Sequence, residues 1–510
     1  QRERATPEQQ AVNAQEWRAR VVAQRILSHA ELVEQGRKDR PLWSMAELEP
    51  WATSKQQVSP NALNYVSEPS APWWEYAPSI ACPALLITAD VAAGAIVSPE
   101  TAQAAVALTP NIRAAPPLHA VTRKDGSSSF SNVATVALMI LVNNPGSWSH
   151  IYPPLDHAQW HGCTPTDLVF PFFLFAVGNA LAFVMPRLEA AGEAAVWTKI
   201  ITRSLLIFLI GLLLNWFPFV DWYQDHLVFK NPVLYPGKQT GLRFFGVLQR
   251  IAVCYLFASI LIHYLKVRGS FIAAAFILLA YWFLCIIGNP ADPFSLQGWF
   301  GTAIDKSILG EAHMYHGEGV AFDPEGLMSS FAPIAQVILG YLVGNYIVQK
   351  GKTESMLNNL FTAGVVLVVA GLCWNMVFPL NKKIWTSSYV LYTTGLAILI
   401  LSVMIHLIEF KNRKGFLSRF FDVFGKNALF IFVMSGVLPR LMGLIRIPGA
   451  IGPDGKQNYL TPFSWFYETI CRKIIPADPR IGSVLYALCF IFMMWFFAWL
   501  LDRKKIYIRV

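Results

Sequence analysis

Charge is scarce in this sequence. Only 14% of its 510 residues are Asp, Glu, Lys or Arg, against about a quarter in an ordinary soluble domain. Apolar residues make up 54%, and the mean hydropathy is +0.41. The formal net charge of +9 does not point to nucleic acid, because the Lys and Arg fall in short clusters between apolar runs. That is the pattern of a membrane protein's cytoplasmic loops. Cysteine is also rare. The seven present lie mostly inside apolar runs (Cys254, Cys285, Cys373, Cys489) without disulfide or metal-ligand spacing. They read as small buried hydrophobes, and no metal is expected. The opening QRERATPEQQ lacks an apolar core, so no secretory signal is expected there.

What is present divides into two unlike parts. Residues 1–122 are soluble in character, with a charged helical opening (Glu16–Arg37) and loops rich in Pro and Trp. CPALLITAD (82–90) reads as a buried strand ending in an acid, and SPETAQAAVALTPNIR (98–113) as the helix after it. This stretch is similar to the late part of an α/β-hydrolase, where a triad acid follows a late strand. The G-x-S-x-G nucleophile elbow such a hydrolase needs is missing from the sequence, so catalysis by Asp90 is not expected. Residues 123–133 form a Ser-rich joint.

From residue 131 the sequence holds about ten apolar runs: 131–143, 168–185, 196–217, 244–265, 270–288, 329–348, 360–378, 388–408, 427–445 and 484–501. Most have the ~17–25 residues that cross a hydrocarbon core, and the first is too short to do so alone. The fold expected for 134–510 is therefore an all-α polytopic membrane protein of about ten transmembrane helices, behind a small soluble α/β fragment. Counting along the chain, the even-to-odd connections are short and basic: Arg187 with Lys199, Lys266 with Arg268, Lys350 with Lys352, and Lys411, Arg413, Lys414 and Arg419. The positive-inside rule turns them, and the tail Arg503–Lys505, to the cytoplasm. The loop PLNKKIW (379–385) breaks that rule, so either a span is miscounted or Lys382 and Lys383 have a function.

The unusual polar residues collect at the opposite, outward end. LDHAQWHGCTPTDLVFPFFLF (155–175) sets Asp156, His157, His161 and Asp167 at the lip of an apolar run. Their spacing is too loose for a zinc site. A lone interfacial His is commonly structural, but imidazole titrates near physiological pH and suits proton transfer. Gln249 and Arg250 fall inside the outer end of the fourth run. An intramembrane Arg either staples helices together or marks a functional site. Asp323 and Glu325 precede the sixth run, where acids also make good helix starts. Asn143 and Asn144 close the first run.

MILVNNPGSWSHIYPPLDHAQWHGCTPTDLVFPFFLFAVG, GVLQRIAVCY, FDPEGLMSSF, NKKIWTSSYVL, FGKNALFIF and KKIYIRV follow one another from about residue 134 to the end. Together they resemble the heparan-α-glucosaminide N-acetyltransferase family of polytopic membrane proteins. The resemblance implies acetyl transfer from cytoplasmic acetyl-CoA to the amine of a glucosamine-type acceptor outside. It places the family's catalytic His on His157, in the His-Ala-x-Trp motif, and the preceding catalytic Asn on Asn143. The substrate-binding candidates are Asp167, Gln249, Arg250, Asp323, Glu325, Asn381 and Lys382. Among these, Asp167, Asp323 or Glu325 would orient the imidazole, and Asn143, Gln249 or Arg250 would stabilise the oxyanion. Family members open the first helix with an Asp-x-x-Arg-Gly type motif, where this chain reads SSSFSNVA; that difference bears on donor binding. The expected partners are acetyl-CoA, an amino-sugar acceptor and the lipid bilayer, with no nucleic acid, and a homodimer is left open. The expected location is a bacterial inner membrane, with the site on the periplasmic face. The competing reading is a sugar or amino-sugar transporter without acyl transfer.

Overall fold

The apolar runs fold as helices. The computed structural model describes residues 131–413, 415–451 and 457–508, together with residue 23, residues 27–39 and the stretches 84–87 and 112–115. Its contacts divide the chain into two units, Gln1–Pro117 and Leu118–Val510.

In the first unit, helix α1 (His29–Asp39) starts from a reciprocal cap. The Ser28 N–H donates to Glu31 Oε2 at 2.8 Å and the Glu31 N–H to Ser28 Oγ at 3.4 Å, which satisfies donors that a helix start leaves free. Strands β1 (Ala84–Ile87) and β2 (Ile112–Ala115) pair in parallel, Ala84 opposite Ile112. Residues 98–111 of the helix expected over 98–113 lie outside the described residues, as does Asp90, and Ile112 and Arg113 are strand.

The second unit opens with α2 (Ser131–Asn143), a 13-residue helix shorter than a span. Two long helices follow, α3 (Val169–Ala190) and α4 (Glu193–Trp216). A small hairpin comes next, β3 (Val220–Tyr223) against β4 (His226–Phe229), turned by Gln224 and Asp225 at φ 46° and 64°. Helix α5 runs over Val247–Gly288, 42 residues interrupted at Lys266 (φ 54°, ψ −165°). A straight helix of that length would measure about 63 Å, roughly twice the ~30 Å core, and the break separates the runs 244–265 and 270–288. Then come the short α6 (Gly301–Leu309) and the long α7 (Phe331–Lys350), α8 (Glu354–Asn375) and α9 (Ser387–Ile405). Helices α10 (Phe416–Lys426) and α11 (Ala428–Met442) follow, joined at an 88° bend, and α12 (Pro479–Arg503) closes the bundle.

Among the described residues, seven helices are long and apolar enough to cross a membrane, or eight if the bent pair counts as one span. The sequence reading of about ten arises partly because α5 holds two of its runs. Large apolar side chains are exposed along the bundle, among them Leu205, Leu209 and Leu213 on α4 and Phe271, Phe276 and Phe283 on α5. Such stripes are costly in water at about 25 cal/mol per Å² and natural against lipid. The chain is an integral membrane protein of mostly helical fold.

Helix α3 packs chiefly on α7, α4 on α5 and α8 on α9. The α3–α7 contact is backbone on backbone. A Cβ added at Gly178 would fall 1.8 Å from the Val337 carbonyl oxygen, and one at Gly340 would fall 2.1 Å from that of Phe175. Without a hydrophobic drive between helices in lipid, this close van der Waals approach is what small residues supply. It fixes the end of α3 that carries Asp167 relative to the end of α7 that carries the 323–330 turn.

Candidate functional site

Thr164-Pro-Thr-Asp167 is a capping box that starts the 3₁₀ turn Pro165–Leu168 and leads into α3. Asp167 thereby acquires fixed partners although it is 1% exposed. Its Oδ2 accepts the backbone N–H groups of Thr164 at 3.0 Å and Ala158 at 3.1 Å. The Thr164 hydroxyl ties the preceding loop by donating to the Asp156 carbonyl at 2.6 Å. Tyr389 on α9 donates its hydroxyl to the Asp167 carbonyl at 2.5 Å.

Asp167 Oδ1 is left for His157. The His157 Nδ1 lies 2.7 Å from it, with the imidazole side chain 36% exposed. When Nδ1 carries its N–H, that proton lies between the ring and the carboxylate, and in the neutral ring of this tautomer Nε2 keeps its lone pair. The arrangement is a base held by an orienting acid, the pairing general-base chemistry uses. Asp156 does not orient the ring; its carboxylate accepts the His157 backbone N–H at 2.8 Å.

Lys382 completes the group. Its Nζ lies 3.1 Å from His157 Nδ1 and 3.4 Å from Asp167 Oδ1. Burial pulls the Lys382 ammonium below the usual lysine range, against the opposing pull of Asp167 and then Glu325. Asn381 builds the loop that presents it. The Asn381 Oδ1 accepts the backbone N–H groups of Lys383 and Ile384 at 2.8 and 3.1 Å. Its Nδ2 sits 3.5 Å from His161 Nδ1, and burial lowers the His161 imidazole's pKa. Lys383 donates to the Gln159 carbonyl at 2.6 Å and to Glu318 at 2.7 Å, which pins this loop across the His157 loop. Burial pushes the Cys163 thiol up to about 12, so it is no ready nucleophile.

The other candidates form a second, adjoining group. Arg243 clamps Asp323 through Nε at 2.9 Å and Nη2 at 2.5 Å, and reaches Glu325 at 2.6 Å. Burial opposes the Arg243 charge, but Asp323 and Glu325 outweigh it and raise its pKa. Burial likewise raises Glu325, while Arg243 and Arg250 more than offset this and hold it below the usual range. Arg250 is fully buried. It donates to Ser330 Oγ at 3.2 Å, to Ser329 Oγ and to the Pro324 carbonyl, and its guanidinium lies 4.8 Å from the Trp385 ring centroid. Gln249 is 1% exposed, with its Nε2 buried and unpartnered among the described residues. Asn143 lies exposed at the end of α2. Among the described residues, no hydrogen bond joins Asn143, Gln249 or Arg250 to the His157–Asp167 pair.

The structure thus brings together His157, Asp167, Asn381 and Lys382, and sets Arg250, Asp323 and Glu325 beside them around Arg243. Arg243 was not singled out in the sequence. The available signal was an Arg two residues after Gly241 facing an Asp-Pro-Glu turn. Among the described residues no three His, Cys, Asp or Glu side chains converge as a metal would require.

No family model matches the chain. Among curated proteins it is 24% identical over 438 residues to the heparan-alpha-glucosaminide N-acetyltransferase of Homo sapiens, covering 75% of this chain and 59% of that protein. It is 25% identical over 372 residues to the heparan-alpha-glucosaminide N-acetyltransferase of Mus musculus, covering 61% of this chain and 53% of that one. The chain spans a little over half the length of the curated relatives it matches. Across most of its membrane-embedded part, then, the chain shows a family-level resemblance to the heparan-alpha-glucosaminide N-acetyltransferases.

Proposed function

We propose that residues 134–510 form a transmembrane acetyltransferase that moves an acetyl group from cytoplasmic acetyl-CoA to the amine of an amino sugar on the other side. The observation that carries this reading is the His157–Asp167 pair at a partly exposed lip, where Nε2 has no hydrogen-bond partner among the described residues. The acceptor amine arrives as an ammonium and sheds one proton to water. His157 Nε2 takes a second as nitrogen attacks the thioester carbonyl carbon, a contribution of roughly 10²–10⁴-fold. The C–S bond breaks, and the imidazolium returns its proton to the sulfur. Asn143 and Gln249 remain the candidates for the oxyanion, with Arg250 as the charged alternative, each requiring the acceptor-bound arrangement to reach it.

The sidedness rests on charge. His157 sits in the loop leading into α3, whereas Arg187 lies near the far end of α3, Lys199 near the start of α4, and Lys266 and Arg268 at the break inside α5. The positive-inside rule supports a cytoplasmic position for those basic residues, and the proposal takes His157 to face the opposite side, the periplasm if the membrane is a bacterial inner membrane. Proteoliposomes holding labelled acetyl-CoA on the Lys/Arg-rich side and glucosamine on the His157 side test the reading. Labelled N-acetylglucosamine on the glucosamine side is the expected product. Movement of glucosamine across the membrane without acetylation would replace it with the transporter reading.

A further inference from the structure

The Asp167 carboxylate presents a charge-balance problem that the transfer mechanism does not solve. It is 1% exposed; its Oδ2 faces two backbone N–H groups and the Thr164 hydroxyl and its Oδ1 faces His157 Nδ1 and Lys382 Nζ, a surround of donors on both oxygens that favours the anion. A buried carboxylate demands a nearby positive charge. Only Oδ1 is open to one, and two groups compete there: His157 Nδ1 at 2.7 Å and Lys382 Nζ at 3.4 Å. If the imidazole supplied the charge, Nε2 would carry a proton and could accept none. The mechanism needs the other outcome.

The geometry points to Lys382 as the positioning residue that neutralises Asp167, so that His157 is presented as a neutral base. This inference rests on the acetyl-transfer reading for its purpose, though not for its geometry. With the ammonium beside Oδ1, the Asp167–Lys382 pair is neutral as a unit. The His157 Nδ1–H then donates to a carboxylate that asks no charge of it. An imidazolium would also set a second positive charge 3.1 Å from Nζ, a like-charge contact that costs free energy at such range. The proton taken from the acceptor is accordingly held briefly and passed on to the leaving sulfur. The remaining ionisable groups facing Lys382 are Cys163, from the His157 loop, and Glu325, from the turn before α7. Glu325 is already engaged by Arg243, and Cys163 stays a neutral thiol, so neither takes over the charge of Lys382. His161 approaches only through Asn381, and Lys383 is spent on Glu318 and the Gln159 carbonyl.

The test reads the His157 ring itself. The full chain, labelled with ¹⁵N-histidine and reconstituted in lipid, is compared with Lys382→Met and Lys382→Arg at neutral pH, with His157 assigned from a His157→Gln sample. The wild type should give one protonated and one bare ring nitrogen. Lys382→Met should lose the bare-nitrogen resonance, because the imidazole must now balance Asp167. Lys382→Arg, whose guanidinium is permanently charged, should keep it. Lys382→Gln serves as a second neutral variant if the Met variant does not fold. The double variant Asp167→Asn/Lys382→Met should restore the bare nitrogen, an outcome that a purely structural role for Lys382 would not produce. A neutral imidazole in both neutral variants, or an imidazolium in the wild type, overturns the inference. Failure of the wild type to transfer acetyl groups would overturn the proposed function and leave this comparison standing.

Discussion

Two charged groups lie side by side at one end of the bundle, and they are finished differently. Around Arg243 the donors and acceptors close on one another. Asp323 takes both arms of the guanidinium and also the Glu325 backbone N–H at 3.0 Å, Glu325 takes the guanidinium again, and the Arg243 guanidinium lies 4.9 Å from the Tyr315 ring centroid. Around His157 one ring nitrogen, Nε2, has no hydrogen-bond partner among the described residues, on a ring that is about a third exposed. A closed group of this kind holds loops in place, whereas an open one can exchange a proton with something that arrives. Perturbed or charged side chains alone do not separate the two cases; the unspent valence does.

The comparison can be broken at its strongest point by His157→Ala. Acetyl transfer in proteoliposomes should fall by roughly 10²–10⁴-fold while the thermal midpoint in detergent stays near wild type; a joint loss of folding and activity would make His157 part of the scaffold. Arg243→Met should do the reverse. Removing one partner from a buried ion group leaves the others uncompensated, at a cost of about 3–5 kcal/mol, read as a lowered thermal midpoint. A stable Arg243→Met protein that lost only activity would erase the distinction between the two groups.

Asp305 sharpens the contrast through pH. It is fully buried on α6; its Oδ1 accepts the Met328 backbone N–H at 3.1 Å, and its Oδ2 has no hydrogen-bond partner among the described residues. Burial raises its carboxyl to about 7. The folded protein therefore retains a proton there that the unfolded chain releases near pH ~4. Stability from this group is present below that range and is lost as the pH climbs to about 7. Melts between pH 5 and 8 should show that decline in the wild type and a flatter profile in Asp305→Asn; identical slopes would remove Asp305 from the account. The smallest effect belongs to Thr164→Val, which deletes the capping hydroxyl and should cost about 1 kcal/mol. It should lower activity only as far as it loosens the loop carrying His157.

Much of the His157 group was legible in the sequence because each member broke a local rule. Titratable residues stood at the lip of an apolar run, and Lys382 sat in a basic loop on the side where the topology allows few cations. The Thr164–Asp167 spacing is itself a helix-start signature, which explains how Asp167 is held. The Arg243 group was read less well. Arg250 stood out because it lies inside a span, whereas Arg243 precedes the span among aromatic residues and looked like an ordinary loop cation. The hairpin at 220–229 went unseen because its turn is Gln-Asp rather than Asn-Gly or Asp-Gly, so the usual marker of positive φ was missing. The span count differed because the runs 244–265 and 270–288 fall within the one interrupted helix α5, the run 131–143 makes a helix too short to cross, and the run 427–445 belongs to a bent pair.

The backbone contact at Gly178 makes α3 a lever with a fixed fulcrum. From Gly178 to Asp167 the helix and its leading turn extend roughly 16 Å. A single methyl wedged between α3 and α7 would tilt that arm, and a tilt of about 5° swings the far end by more than 1 Å, a displacement on the scale that costs about 10²-fold in rate. An alanine in the middle of the bilayer would thus be felt at the lip, without touching any residue that handles a proton.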